Sequence, residues 1–118
     1  MIKGIGIDII ELERIKKSIE RSYRLVERIL TNKEQGIYNS LTSSQRRVEY
    51  LAGRFAAKEA FAKATGKGIG KLGFQDIEVI AEESGAPALH VQGYESYNIF
   101  VSITHSKDYA VAQVIIEE

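Results

Sequence analysis

The chain has 118 residues, and its 16 lysines and arginines balance 16 aspartates and glutamates, giving a formal net charge of zero. Hydrophobic residues make up 44% and charged residues 27%, which excludes a disordered polyelectrolyte and leads us to expect a single domain over 1–118 built on one core. There is no cysteine, so disulfide scaffolds, thiolate metal sites and cysteine nucleophiles are excluded, and the zero net charge removes the broad electrostatic footprint of a nucleic-acid binder.

No apolar run approaches the ~20 residues of a membrane span. The opening MIKGIGIDII lacks the layout of a signal peptide, so the expectation is a cytoplasmic protein that binds neither membrane nor nucleic acid. Ile2–Ile10 reads as a strand, with Ile5, Ile7 and Ile9 on one face and Gly4, Gly6 and Asp8 on the other. Residues 11–30 read as helix with an interruption near Ser18–Ser22. Thr31–Glu34 and Thr42–Gln45 both match the capping-box spacing and mark two more helix starts. The second of these helices runs over 43–65 and stops at Gly66. A glycine-rich loop, Gly66–Gly73, leads into strand-like stretches at 74–81, 88–92, 98–105 and 109–116, with Lys107–Asp108 as a tight turn between the last two. One strand, then helices, then several strands on short connections predicts an α+β fold, with a mainly antiparallel sheet packed on a long helix.

Two carboxylates stand where strand and helix geometry argue against them. Stepping 100° per residue from Val48 puts Leu51, Ala52, Phe55 and Ala62 within roughly 60° and Glu59 at about 20°, inside the apolar stripe. A carboxylate there needs a partner. Lys63, one turn on, offers a plain ion pair, and that reading stays open beside a functional one. Asp8 sits on the glycine face of the first strand, where missing side chains leave room for something to approach. It can equally be an ordinary strand-end residue. Taken together, two carboxylates without cysteine or clustered histidine suit a hard, oxygen-preferring cation such as Mg²⁺ holding substrate phosphates.

The loop Gly66-Lys-Gly-Ile-Gly-Lys-Leu-Gly73 brings flexible amides together with Lys67 and Lys71, a chemistry suited to phosphate. Residues 68–73 match GxGxxG by letter. They follow a helix and precede a strand, the reverse of the dinucleotide-binding context. Near the end, Val101-Ser-Ile-Thr-His-Ser106 puts His105 at a strand terminus, and no GxSxG elbow supports a serine nucleophile. The first helix carries Arg14, Lys17, Arg21, Arg24 and Arg28 at spacings of 3, 4, 3 and 4, opposite Leu12, Ile15, Ile19, Val26 and Ile29. A basic stripe of this kind is either a solvated face or a dock for an acidic partner.

Three segments resemble the holo-acyl-carrier-protein synthases, small bacterial phosphopantetheinyl transferases. They are Ile5-Gly-Ile-Asp-Ile9, Phe55-Ala-Ala-Lys-Glu-Ala-Phe-Ala-Lys-Ala-Thr-Gly66 and Val101-Ser-Ile-Thr-His-Ser106, in order and at compatible spacing along nearly the whole chain. The resemblance implies a 4′-phosphopantetheinyl transferase-like fold. It also implies transfer of the 4′-phosphopantetheine arm of coenzyme A to a serine of apo-acyl-carrier protein, with adenosine 3′,5′-bisphosphate leaving. By the same resemblance Asp8 and Glu59 bind Mg²⁺ with the coenzyme A pyrophosphate, and Lys63 neutralises phosphate charge. Arg54, Gly66, Lys67, Gly68, Gly70, His105 and Ser106 contact the coenzyme. Arg14, Arg21, Arg24 and Arg28 meet the carrier. The general base stays open among Glu59, Glu34 and a metal-bound water, and Leu30-Thr-Asn-Lys-Glu34 lacks the Phe-Thr pair common in relatives. The resemblance further implies a homotrimer with active sites between subunits, part of the apolar sheet surface from Ile99 to Ile116 being covered by a neighbour. The competing readings are a non-enzymatic nucleotide or anion-binding regulatory module and a nucleic-acid binder using the first helix.

Overall fold

Residues 1–69 and 72–118 are described by a computed structural model. The elements run β1 (Ile2–Glu11), α1 (Leu12–Arg21), α2 (Arg24–Ile29), α3 (Asn32–Ser40), α4 (Ser44–Thr65), a 3₁₀ turn (Phe74–Asp76), β2 (Ile77–Ala81), β3 (Pro87–Val91), β4 (Asn98–His105) and β5 (Tyr109–Glu117). The expected α+β architecture is present, with every strand pair antiparallel. The strands form two sheets rather than one: β1-β5-β4 and the hairpin β2-β3.

Helix α4 lies on one face of the three-stranded sheet. The alternation in β1 decides which face. Gly4 pairs with Ile116 and Ile99 across β5 and β4, Gly6 with Val114 and Val101, and Asp8 with Ala112 and Ile103. A methyl group on Gly4 would lie 1.9 Å from the carbonyl oxygen of Ala64, and one on Gly6 would lie 1.9 Å from that of Ala60. Two residues of strand advance about 6.8 Å and four of helix about 6 Å, so both glycines meet the helix backbone in step. The room on the glycine face is therefore filled by α4. The opposite face leaves Ile5, Ile7 and Ile9 57%, 57% and 61% exposed.

The single apolar stripe expected for α4 is replaced by burial nearly all round. Strands cover one side of the helix and α1, α2 and α3 another, and alanines let them approach closely. Between 55 and 63 the residues that escape full burial are Phe55, Glu59 and Lys63, one helical turn apart. Glu59 and Lys63 therefore mark a gap in the packing.

Local signals explain most boundaries. Thr31 caps α3 in a full capping box with Glu34. The Thr42–Gln45 box does not form: Ser43 is the cap and accepts from the Arg46 amide at 3.3 Å, while the Gln45 side chain donates to Glu49. The neighbouring hydroxyl caps the next amide along, that of Arg46 rather than Gln45, so the start moves by one residue. Gly66 ends α4 at φ +77°, where a side chain would be strained. The Lys107–Asp108 turn forms, with the Ser106 amide donating to Tyr109 O at 2.8 Å. The interruption expected near Ser18–Ser22 in the first helical stretch falls at Ser22–Tyr23 and divides it into α1 and α2.

Candidate active site

Asp8 and α4 build the first half of the site. The Asp8 side chain is 14% exposed. Lys63 Nζ donates to Asp8 Oδ1 at 2.9 Å and to Ile7 O at 3.1 Å. The expected Glu59–Lys63 pair is therefore not formed; the lysine reaches across to β1. Glu59 makes no ion pair among the described residues. Burial pushes its carboxyl above the ordinary range, the Asp8 charge pushes it further, and Lys63 pulls it back. Asp8, Glu59 and Lys63 thus act on one another electrostatically at one edge of the sheet, because β1 is an edge strand.

No cluster of three or more metal-ligating side chains occurs among the described residues. Two carboxylate oxygens are what Mg²⁺ asks of a protein when substrate phosphates and water complete its shell. The Asp8–Glu59 pair, two carboxylates that repel one another at a partly buried edge, fits that requirement.

The second half lies at the other edge. His105 ends β4, on the same sheet face as Asp8, in a row with Ala110 and Ile10. Two strand spacings, about 9.6 Å, separate β4 from β1. His105 Nε2 is 3.6 Å from Glu49 Oε1. Both line a cleft of about 350 Å³ with Arg46, Tyr50, Arg54 and Pro87. The Arg54 guanidinium stacks on the Tyr50 ring, 4.0 Å from its centroid, and Arg54 Nε and Tyr50 Oη have no hydrogen-bond partner among the described residues. Burial raises the Tyr50 phenol above its ordinary value, against the pull of Arg54. Arg54 and Glu59 are five residues apart on α4, about 140° around the axis, so one chain presents the two halves on different sides.

The remaining candidates separate by what their polar atoms already do. The Gly66 and Gly68 amides donate to Lys63 O and Ala62 O at the helix end, so they serve the cap. Lys67 is exposed beside an apolar cavity of about 590 Å³ lined by Thr65, Leu72 and Tyr94. Gly70 and Lys71 lie outside the described residues. Ser106 Oγ accepts the Tyr109 amide and serves the turn. Glu34 is fully buried and accepts from Thr31 N, Lys58 Nζ and Val79 N, which removes it from reach of a substrate hydroxyl. Arg14, Arg21, Arg24 and Arg28 are exposed. Despite the helix break, Arg21, Arg24 and Arg28 surround one notch of about 350 Å³ with Ser18 and Leu25.

Sequence reasoning missed Arg46, Glu49 and Tyr50 in the cleft, which no local pattern distinguishes from surface residues. It also left Lys58 without a role. This lysine is fully buried, donates to Ile29 O, Glu34 Oε1 and Phe74 O at 2.6, 2.6 and 3.1 Å, and is held below its ordinary pKa by desolvation. The signal was there: a charge inside the alanine run 56–64.

A family model of the 4′-phosphopantetheinyl transferase superfamily matches residues 4–114. A holo-[acyl-carrier-protein] synthase of Oceanobacillus iheyensis is 59% identical over 117 residues, 99% of this chain and 98% of the relative. The crystal structure of a holo-(acyl-carrier-protein) synthase from Bacillus anthracis in complex with CoA (3′,5′-ADP) is similar at TM-score 0.92 and 50% identity, over 100% of this chain and 98% of that one. The Helicobacter pylori holo-[acyl-carrier-protein] synthase in complex with coenzyme A is similar at TM-score 0.83 and 32% identity, over 96% and 99% of the two chains.

Proposed function

The chain belongs to the 4′-phosphopantetheinyl transferase superfamily, among its holo-[acyl-carrier-protein] synthases, and from that premise we propose that it transfers 4′-phosphopantetheine from coenzyme A to a serine of apo-acyl-carrier protein. The observation that carries the proposal is the Asp8, Glu59 and Lys63 cluster at the β1–α4 edge of a chain so similar to these synthases. The reaction depends on Mg²⁺ and releases adenosine 3′,5′-bisphosphate, and 1–118 acts as one domain in the cytoplasm.

Phosphoryl transfer needs alignment and charge neutralisation more than covalent help from the protein. Asp8 and Glu59 would hold Mg²⁺, which when bound would supply charge neutralisation at the pyrophosphate. Lys63 adds a mobile cation within reach of the same phosphates. The serine oxygen forms a bond to the pantetheine-side phosphorus while the bridging P–O bond breaks. With Glu34 buried, Glu59 or a water in the site would accept the serine proton. Arg54, His105 and Tyr50 hold the nucleotide end in their cleft, Lys67 and the loop residues Gly66, Gly68 and Gly70 add contacts to the coenzyme, and Ser106 shapes the turn next to His105. Arg14, Arg21, Arg24 and Arg28 receive the acidic carrier.

The two half-sites sit on opposite edges of one sheet, and Ile5, Ile7, Ile9, Phe100 and Tyr109 are exposed on its outer face. Both features support a homotrimer in which one chain's carboxylates meet a neighbour's cleft. The test is direct: incubate the protein with coenzyme A, Mg²⁺ and apo-acyl-carrier protein and weigh the carrier. A mass gain of one phosphopantetheine, abolished by chelator, is expected. An unmodified carrier overturns the proposal. Light scattering tests the trimer.

A further inference from the structure

Helix α2 has six residues, Arg24–Ile29, too few for stability of its own in water. The last carbonyls of any helix lack partners within it. Here four consecutive ones, Glu27 to Leu30, are taken up by side chains from three other elements. Gln75 Nε2, in the 3₁₀ turn, donates to Glu27 O and Leu30 O at 2.8 Å each, with a longer contact of 3.4 Å to Arg28 O. Lys58 Nζ, from α4, donates to Ile29 O at 2.6 Å. Gln35 Nε2, from α3, donates to Leu30 O at 2.9 Å. Val26 and Ile29 supply the buried apolar contacts of α2. Its exposed side carries Arg24 and Arg28, which share a notch with Arg21 across the Ser22–Tyr23 break.

An exposed arginine can recognise an acidic partner only where its helix points it. With so little helix, direction comes from the bonds at the carbonyl end. We propose that Gln75 is a positioning residue for the carrier protein, holding the carbonyls of 27–30 so that α2 presents Arg24 and Arg28 in one fixed direction. The inference rests on the reading of these arginines as the carrier dock. Lys58 works at the same place but makes a poor probe, because its loss strands the Glu34 charge in the core. Gln75 is exposed, so water can replace its bonds and the fold survives its removal.

The test is a double-mutant cycle on the whole enzyme, with carrier and coenzyme A varied separately. Gln75→Ala is expected to raise the carrier KM roughly fivefold, the scale of one or two loosened exposed charge contacts, with kcat, the coenzyme A KM and thermal stability near wild type. In an Arg24→Ala/Arg28→Ala background the same change should add almost nothing. Equal effects in both backgrounds overturn the inference, since Gln75 would then act without the arginines. So does a parallel rise in the coenzyme A KM, the mark of a general structural defect. If the arginine pair raises the carrier KM and Gln75→Ala does not, this inference falls and the dock stands. If the arginine pair has no effect, both fall.

Discussion

Helix α4 is held on two sides by different physics. Toward β1 the contact is bare: Gly4 and Gly6 against the carbonyls of Ala64 and Ala60, with no space for a methyl. Toward the α2–α3 corner it is polar. Lys58 sits in a cage of three acceptors, and Glu34 collects three donors. The bare side gains close packing and sets the distance between strand and helix, on which the Asp8–Glu59–Lys63 geometry depends. The polar side gains direction, since hydrogen bonds lose strength steeply with angle, and it orients helices too short to orient themselves. The side we propose for the chemistry is thus built from residues with almost no side chain, and the side we propose for the carrier is built from long ones.

The sharpest way to break the bare side is Gly6→Ala. Backbone cannot yield as a side chain tip can, so β1 and α4 must separate; overpacking of this kind commonly costs 1–3 kcal/mol and sometimes more. Loss of the cooperative thermal transition, or a large fall in its midpoint along with activity, is the expected outcome. On the polar side, Lys58→Met leaves Glu34 charged and buried. A loss of about 3–5 kcal/mol in denaturant unfolding is expected, and Lys58→Met/Glu34→Gln should recover part of it. A mild Gly6→Ala beside a severe Lys58→Met would reverse our view of which contact sets the strand–helix distance.

Next come the groups that each side positions. Asp8→Ala should lower turnover by roughly 10²–10³-fold, the scale of losing one electrostatic stabiliser of a transition state, with circular dichroism unchanged. Full activity of this variant, or of wild type in excess chelator, would falsify the metal site. On the docking side, Arg14→Glu/Arg21→Glu should raise the carrier KM severalfold and leave that of coenzyme A alone. Raising ionic strength from about 0.05 to 0.5 M, where the screening length falls to about 4 Å, should mimic it.

The smallest effect expected is on stability. Glu59 is held above the ordinary carboxyl range, chiefly by burial. The unfolded chain gives up this proton at lower pH than the folded one. Stability therefore falls as pH rises from the ordinary carboxylate value through the raised folded value, and the loss persists above it. Glu59→Gln removes that penalty. Without metal, its melting temperature should exceed that of wild type near pH 7, and the difference should close below the unfolded carboxyl pKa. A lower melting temperature at pH 7 would mean that the Glu59 charge is well compensated.

Several features of the molecule were legible along the chain because they are local. The Thr31–Glu34 box, the Gly66 stop, the alternation of β1 and the 107–108 turn depend on residues within a few positions of one another, where propensity and capping chemistry act directly. Asp8 and Glu59 were legible as anomalies, a charge on a glycine face and a charge among apolar neighbours. Other features needed the tertiary structure. The Thr42 cap lost to Ser43 because two adjacent hydroxyls offer alternative helix starts one residue apart, and the Gln45 side chain that would close the Thr42 box bonds Glu49 instead. Lys63 chose Asp8 over Glu59 because β1 packs on α4 at glycine distance, bringing a residue 55 positions away as close as one a turn along the helix. Lys58 and Glu34 became structural partners, and Glu34 ceased to be a candidate base, only when α2, α3, α4, the 3₁₀ turn and β2 came together around them. Burial is a property of the assembled fold, and it determines whether a charge faces a substrate or holds the core.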